Sequence, residues 1–216
     1  SNFKKKAKTL NVEETSVPKI DILETNNRVP WSGHMASYAI RDIYQKIKKS
    51  SLTIVFVNTR AQAELVFNKL WQENDNNLRI AIHHGSLEKE IRRKVESLMS
   101  LGKIDCVVAT SSLDLGIDWG DVDLVVQIGS PKGISRFLQR IGRSNHRFDE
   151  PSNALLVPSN RFEYLECLSA INSIKNKLLD ETKEKKGSLD VLAQHILGVA
   201  CSEPFQIDEL YNQVIN

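Results

Sequence analysis

Short apolar runs of strand length alternate with helix-period segments from Leu52 to Val157, and this alternation constrains the fold more than any other feature of the sequence. Leu52–Val57 is a continuous apolar run. Asn58 and Thr59 follow as helix-cap candidates, and then Ala63, Val66, Phe67, Leu70 and Trp71 recur at helical spacing. The unit repeats: a strand is expected at Arg79–Ile82, then a helix capped by Ser86, with Leu87, Ile91, Val95 and Leu98 as its buried stripe and a stop near Gly102. Further strands are expected at Cys106–Ala109, Leu124–Ile128 and Ala154–Val157. Apolar strands separated by helices predict a parallel sheet covered on both faces, an α/β fold. In such sheets ligands sit beyond the carboxyl ends of the strands, so the informative residues are those just after each strand.

The flanks differ in character. Residues 1–18 read as a polar, lysine-rich tail; Ile20–Leu23 reads as a short edge strand, and Ala36–Lys49 as an amphipathic helix after Pro30 and Gly33. The α/β domain is expected over 19–159. Beyond Asn160 only helical patterns occur, so 160–216 is expected to form a small helical extension, broken at Lys183–Gly187 and resuming at Leu189–Cys201. A net charge of +2 requires that any nucleic-acid binding come from basic groups gathered on one surface. Cys106, Cys167 and Cys201 lack metal-ligand or disulfide spacing, which predicts no metal site and a reducing compartment. No run approaches the ~18 apolar residues of a membrane span, and no secretory leader is recognisable, so a soluble, cytoplasmic protein is expected. The chain starts at Ser1 without a methionine and reads as a piece of a longer protein.

The chemistry-bearing residues follow the strand ends. Asn58-Thr59-Arg60 places an amide, a hydroxyl and a guanidinium at a helix start, a setting that holds phosphate or serves as a plain cap. His83-His84-Gly85-Ser86 repeats the arrangement, and two adjacent histidines face opposite ways on a strand, which argues against a metal pair. Thr110 and Ser111 offer hydroxyls to phosphate oxygens, and Asp118 a carboxylate to a ribose; the bland alternative makes Asp118 and Asp121 turn caps. From Ile134 to Arg147 a helix would carry Ile134, Phe137, Leu138 and Ile141 on one face and Arg136, Arg140, Arg143 and Arg147 on the other, with a break at Gly142 and Asn145. Such a row is either a solvated face or a phosphate-bridging array, for which the planar guanidinium is suited.

Three ordered segments carry a family resemblance. Gln139-Arg140-Ile141-Gly142-Arg143-Ser144-Asn145-His146 resembles motif VI of superfamily-two helicases, Thr110–Asp118 resembles motif V, and Ile54–Arg60 resembles motif IV. The strings His83–Leu87, Asp114–Asp123 and Leu189–His195 are similar to the Lhr family, closest to its bacterial ligase-associated DEXH-box branch. The resemblance implies a RecA-like helicase C-terminal domain followed by the start of a winged-helix domain, within an ATP-dependent helicase. The sequence holds no P-loop and no DEXH box, so a first RecA domain of the same protein would bind most of the ATP and Mg2+, and the isolated fragment is expected to be inactive. The resemblance further implies Arg143 as arginine finger, Gln139 near the attacking water and Arg140 in support. Gly116, Asp118 and His146 would contact nucleotide; His146 stands where many relatives carry a second finger, with Arg147 beside it. Thr59, Arg60, His84, Gly85, Thr110 and Ser111 would grip the phosphates of single-stranded DNA or of a DNA/RNA hybrid. A DNA-repair setting with a DNA ligase and a nuclease as partners is implied in the same way.

Three other readings compete. A dinucleotide-dependent oxidoreductase lacks its Gly-x-Gly-x-x-Gly after every strand. A catalytically silent RecA-like module would show the same half site, and an RNA helicase domain would grip phosphates alike.

Overall fold

The computed structural model describes residues 18–33, 35–114, 122–144, 151–180 and 187–215. The sheet has six strands: β1 (Lys19–Ile22), β2 (Thr53–Phe56), β3 (Ile80–His83), β4 (Cys106–Ala109), β5 (Leu124–Ile128) and β6 (Asn153–Val157). Their spatial order is β1-β6-β5-β2-β4-β3, and every pairing is parallel. Each expected strand is present, with ends moved by a residue or so. β2 is central, Thr53 aligning with Leu124 on one side and Cys106 on the other.

Helices cover both faces because successive side chains of a buried strand point opposite ways. Val55 and Val57 enter one core with Ile43 and Ile47 of α1 (Ile40–Ile47) and Ala63, Val66 and Leu70 of α2 (Arg60–Gln72). Ile54 and Phe56 enter the other, with Val95 and Met99 of α3 (Lys89–Ser100), Phe137 and Ile141 of α4 (Ile134–Ile141) and Cys167 of α5 (Arg161–Lys175).

Local chemistry sets the helix ends. The Thr59 hydroxyl accepts from the Gln62 N–H at 3.2 Å, so Thr59 is the cap of α2. Asn160 caps α5 by accepting from the Phe162 and Glu163 N–H groups, each at 3.0 Å. Gly102, at φ +63°, follows the end of α3 in the left-handed region. The other end of α3 differs from expectation: its cap is Glu88, without a side-chain bond, and not Ser86. The buried stripe is Val95 and Met99, while Ile91, in the first turn of a helix that begins only at Lys89, is 46% exposed.

Two compact units are present, 1–180 and 181–216. The first retains α5, whose Cys167 and Ala170 are buried, so the helical pattern after Asn160 begins inside the sheet-bearing unit. The second carries α6 (Leu189–Ser202) and α7 (Ile207–Ile215). Among the described residues, no helix is long and apolar enough to cross a membrane.

Candidate functional site at the carboxyl rim of the sheet

The parallel sheet sends all its carboxyl ends to one rim, and the strand order sets the residues just beyond them side by side. Thr59 and Arg60 follow β2, Thr110 and Ser111 follow β4, and His84 and Gly85 follow β3, in adjacent positions across the sheet. Thr59, Arg60, Gly85 and Ser111 are exposed and Thr110 is half-buried. The Arg60 Nε donates to Glu64 Oε1 at 2.9 Å, an exposed pair one helical turn apart that holds the side chain loosely. His84 differs from these: it is 3% exposed, and its Nε2 lies 3.7 Å from Glu64 Oε1. In this arrangement it offers no surface to a passing strand.

Beside this row, Asn58 donates through Nδ2 to the Ser130 carbonyl at 2.9 Å and ties the β2 end to the β5 end. Gly129 stands between them at φ +81°, and a Cβ there would lie 2.9 Å from Asn58 Nδ2. Asn58, Thr59, Ser130, Lys132 and Glu163 are among the residues lining a cleft of about 460 Å³ at this part of the rim.

Arg136 and Arg140 do not form the exposed row that helical spacing predicts. Arg136 is exposed, but Arg140 is only 4% exposed. Its Nε and Nη2 donate to Asp114 Oδ1 and Oδ2 at 2.7 and 3.2 Å, and its Nη1 donates to Gln127 Oε1 at 2.7 Å. The guanidinium also stands over the Phe56 ring, 4.7 Å from its centre. A charge taken from water is costly unless paired and hydrogen-bonded, and here three nitrogens are satisfied and the carboxylate is held by two bonds. Asp114 also lies 3.9 Å from Arg136 Nε.

α4 ends at Ile141 with Gly142 after it, so Arg143 lies past the helix, its N–H bonded to the Arg140 carbonyl at 3.0 Å. Its Nη2 donates to the Asp114 backbone carbonyl at 3.0 Å, and its Nε is buried with no partner among the described residues. Among the described residues Arg143 thus uses one of its three guanidinium nitrogens, whereas each of the three in Arg140 has a partner. Gln139 is exposed on the same helix. Gly116, Asp118, His146 and Arg147 lie outside the described residues.

Asp114 lies inside the segment that resembles motif V, which gives it no role of its own, and Gln127 lies outside the matched segments. Gln127 carries a signal in the sequence: it is the single polar residue in the run Leu124–Ile128, and it is fully buried. A buried amide in an apolar strand needs a partner.

The family model of the helicase conserved C-terminal domain matches residues 37–148. The ATP-dependent helicase Lhr-Core protein 2 of Thermococcus barophilus is 41% identical over 169 residues, which cover 78% of this chain and 20% of that protein. The Lhr helicase/uracil glycosylase of Escherichia coli is 39% identical over 132 residues, covering 61% of this chain and 9% of that protein. The chain thus spans about a fifth or less of these curated relatives. Among solved structures, Mycobacterium smegmatis helicase Lhr bound to ssDNA and AMP-PNP superposes with a TM-score of 0.76 at 30% identity, covering 92% of this chain and 27% of that one.

Proposed function

This chain belongs to the helicase conserved C-terminal domain family, in its Lhr branch, and on that premise we propose that it is the second RecA-like motor domain of an ATP-dependent helicase moving along single-stranded DNA. The observation that carries the reading is the shared use of Asp114. Its carboxylate spends the Arg140 guanidinium on holding α4 in place, and its carbonyl anchors one Nη of Arg143, whose Nε meets no partner among the described residues. Arg140 is thus the holder and Arg143 the donor left for a ligand.

The residues fit a nucleotide phosphate on that ground: a partly satisfied guanidinium beyond a parallel sheet is suited to an anion. ATP with Mg2+, carried mainly by a first RecA domain of the same protein, supplies the phosphoryl group and the energy of its transfer. On this chain, Arg143 stabilises the developing charge, Gln139 orients water, and Gly116, Asp118 and His146 contact the nucleotide. Arg60, Thr59, Gly85, Thr110 and Ser111 grip successive phosphates without reading bases, since hydroxyls and a guanidinium at strand ends meet the backbone of the nucleic acid. The ssDNA in the M. smegmatis Lhr structure favours DNA as the track. The proposed setting is cytoplasmic DNA repair beside a ligase and a nuclease; the name of the E. coli relative, which pairs helicase with uracil glycosylase, supports a repair context. The winged-helix start is proposed for the unit 181–216.

Arg143→Ala in the intact helicase tests the site. Hydrolysis should fall by roughly a thousandfold or more, with ATP affinity and melting temperature close to wild type, because Arg143 makes one bond to a backbone carbonyl. Unchanged turnover removes Arg143 from the reaction. Unwinding of matched DNA, RNA and hybrid duplexes by the same protein identifies the track.

A further inference from the structure

His83 is the last residue of β3, an edge strand, and is 1% exposed. It has no part in the proposed hydrolysis or grip, yet it is tied at three points to the turn that carries the hydroxyls of the grip. Its carbonyl accepts from the Thr110 N–H at 3.2 Å and from the Ser112 hydroxyl at 3.0 Å, and its ring Nδ1 lies 2.7 Å from the same Ser112 oxygen. The opposite ring nitrogen, Nε2, lies 3.1 Å from Glu96 Oε1 on α3. A buried imidazole so placed links a covering helix to a single turn, Ser111–Leu113, at the end of β4.

Counting protons shows how the link works. A carboxylate only accepts, so the Glu96 contact requires hydrogen on Nε2. Nδ1 of the neutral ring is then an acceptor, and the one hydroxyl hydrogen of Ser112 goes to it, leaving the His83 carbonyl with the Thr110 N–H. In the protonated ring Nδ1 donates to Ser112 and the hydroxyl turns to the carbonyl. Burial outweighs the pull of Glu96 and lowers the basicity of His83, with Arg92 and His84 adding to the lowering, so the neutral form with Nε2–H prevails near neutral pH. An apolar side chain would fill the same space without this polar chain, whose members must all be satisfied to be tolerated.

We propose that His83 is a positioning residue for the single strand: through Ser112, with Glu96 setting the tautomer of its ring, it fixes the turn at which Thr110 and Ser111 present their hydroxyls to a phosphate. The proposal rests on the assignment of Thr110 and Ser111 to the grip.

The test uses the intact helicase and a labelled DNA oligonucleotide, with affinity measured over a range of salt. Thr110→Val checks the grip itself. His83→Asn keeps an amide oxygen that accepts from Ser112 where Nδ1 stood and gives up Glu96; His83→Gln reaches toward Glu96 and gives up Ser112. Affinity should fall roughly fivefold to tenfold in His83→Gln and in Ser112→Ala, the loss of one net hydrogen bond. It should be no lower in their combination, and should return to near wild type in His83→Asn. A hydroxyl contact releases no counterion, so the slope of log affinity on log salt should be the same in all of these variants. Arg60→Ala, which removes a charge, should lower that slope by about 0.7. Equal losses in His83→Asn and His83→Gln, or a lower salt slope in Ser112→Ala, would show His83 to be a folding residue and overturn the proposal. Wild-type affinity in Thr110→Val removes the grip assignment, and the positioning role with it.

Discussion

The Arg140 guanidinium is held side-on by the carboxylate of Asp114, 26 residues earlier, at 2.7 and 3.2 Å, with both side chains more than nine-tenths buried. Removing one member leaves the other charged and stranded, so Asp114→Ala should destabilise the protein by about 3–5 kcal/mol. Replacing both members with apolar residues, Asp114→Leu with Arg140→Met, should recover most of that stability. Urea denaturation of the two variants reads the difference. The bond from Arg143 should survive in the double variant, since it goes to the backbone carbonyl of residue 114 and not to the side chain. Equal stability losses in the single and double variants would mean that the pair is not the source of the cost.

Gly129 makes a different demand. Its φ of +81° strains any side chain placed there, and Asn58 Nδ2, 2.9 Å from where a Cβ would stand, would have to shift. Gly129→Ala should cost upward of about 1 kcal/mol. Adding Asn58→Ala relieves the contact but not the backbone strain, so the two changes should combine to less than their sum. Additive losses in chemical denaturation would place the strain elsewhere.

His83 should leave a signature in the pH dependence of stability. Its folded value lies below the ordinary 6.5, chiefly through burial, so the unfolded chain binds the proton first as pH falls. Stability should be full above 6.5 and decline below it until the folded value is reached. His83→Asn should flatten that part of the profile. Melting temperatures between pH 7 and 5 measure it, and an unchanged slope in the variant would assign the titration to another group.

Periodicity makes the central strands legible because strands buried on both faces must be continuously apolar, as β4 and nearly all of β2 and β5 are. Motif order locates the rim residues for a related reason: strand ends in a parallel sheet share one side. Spacing cannot show partnership between distant segments. A helical wheel puts Arg140 with Arg136, on the polar side of α4, and nothing in that window reveals that Asp114 lies beneath it. His83 reads as half of an ordinary pair because its partners, Glu96 and Ser112, lie 13 and 29 residues away. Ser86 resembles the cap of α3 by composition, but the helix starts three residues later, where packing of Val95 and Met99 against the sheet decides its reach.

The outermost strand β1 pairs only with β6, Lys19 aligning with Asn153 and Ile22 with Leu156. During synthesis β1, the earliest strand of this sheet in sequence, must wait for β6, and the intervening segments can lay down the remainder of the sheet before it docks. The sheet is therefore latched from its two ends of sequence. Amide exchange should release β1 before the central strands, and a cut that separates residues 19–22 from 153–157 would leave an open edge beside β6.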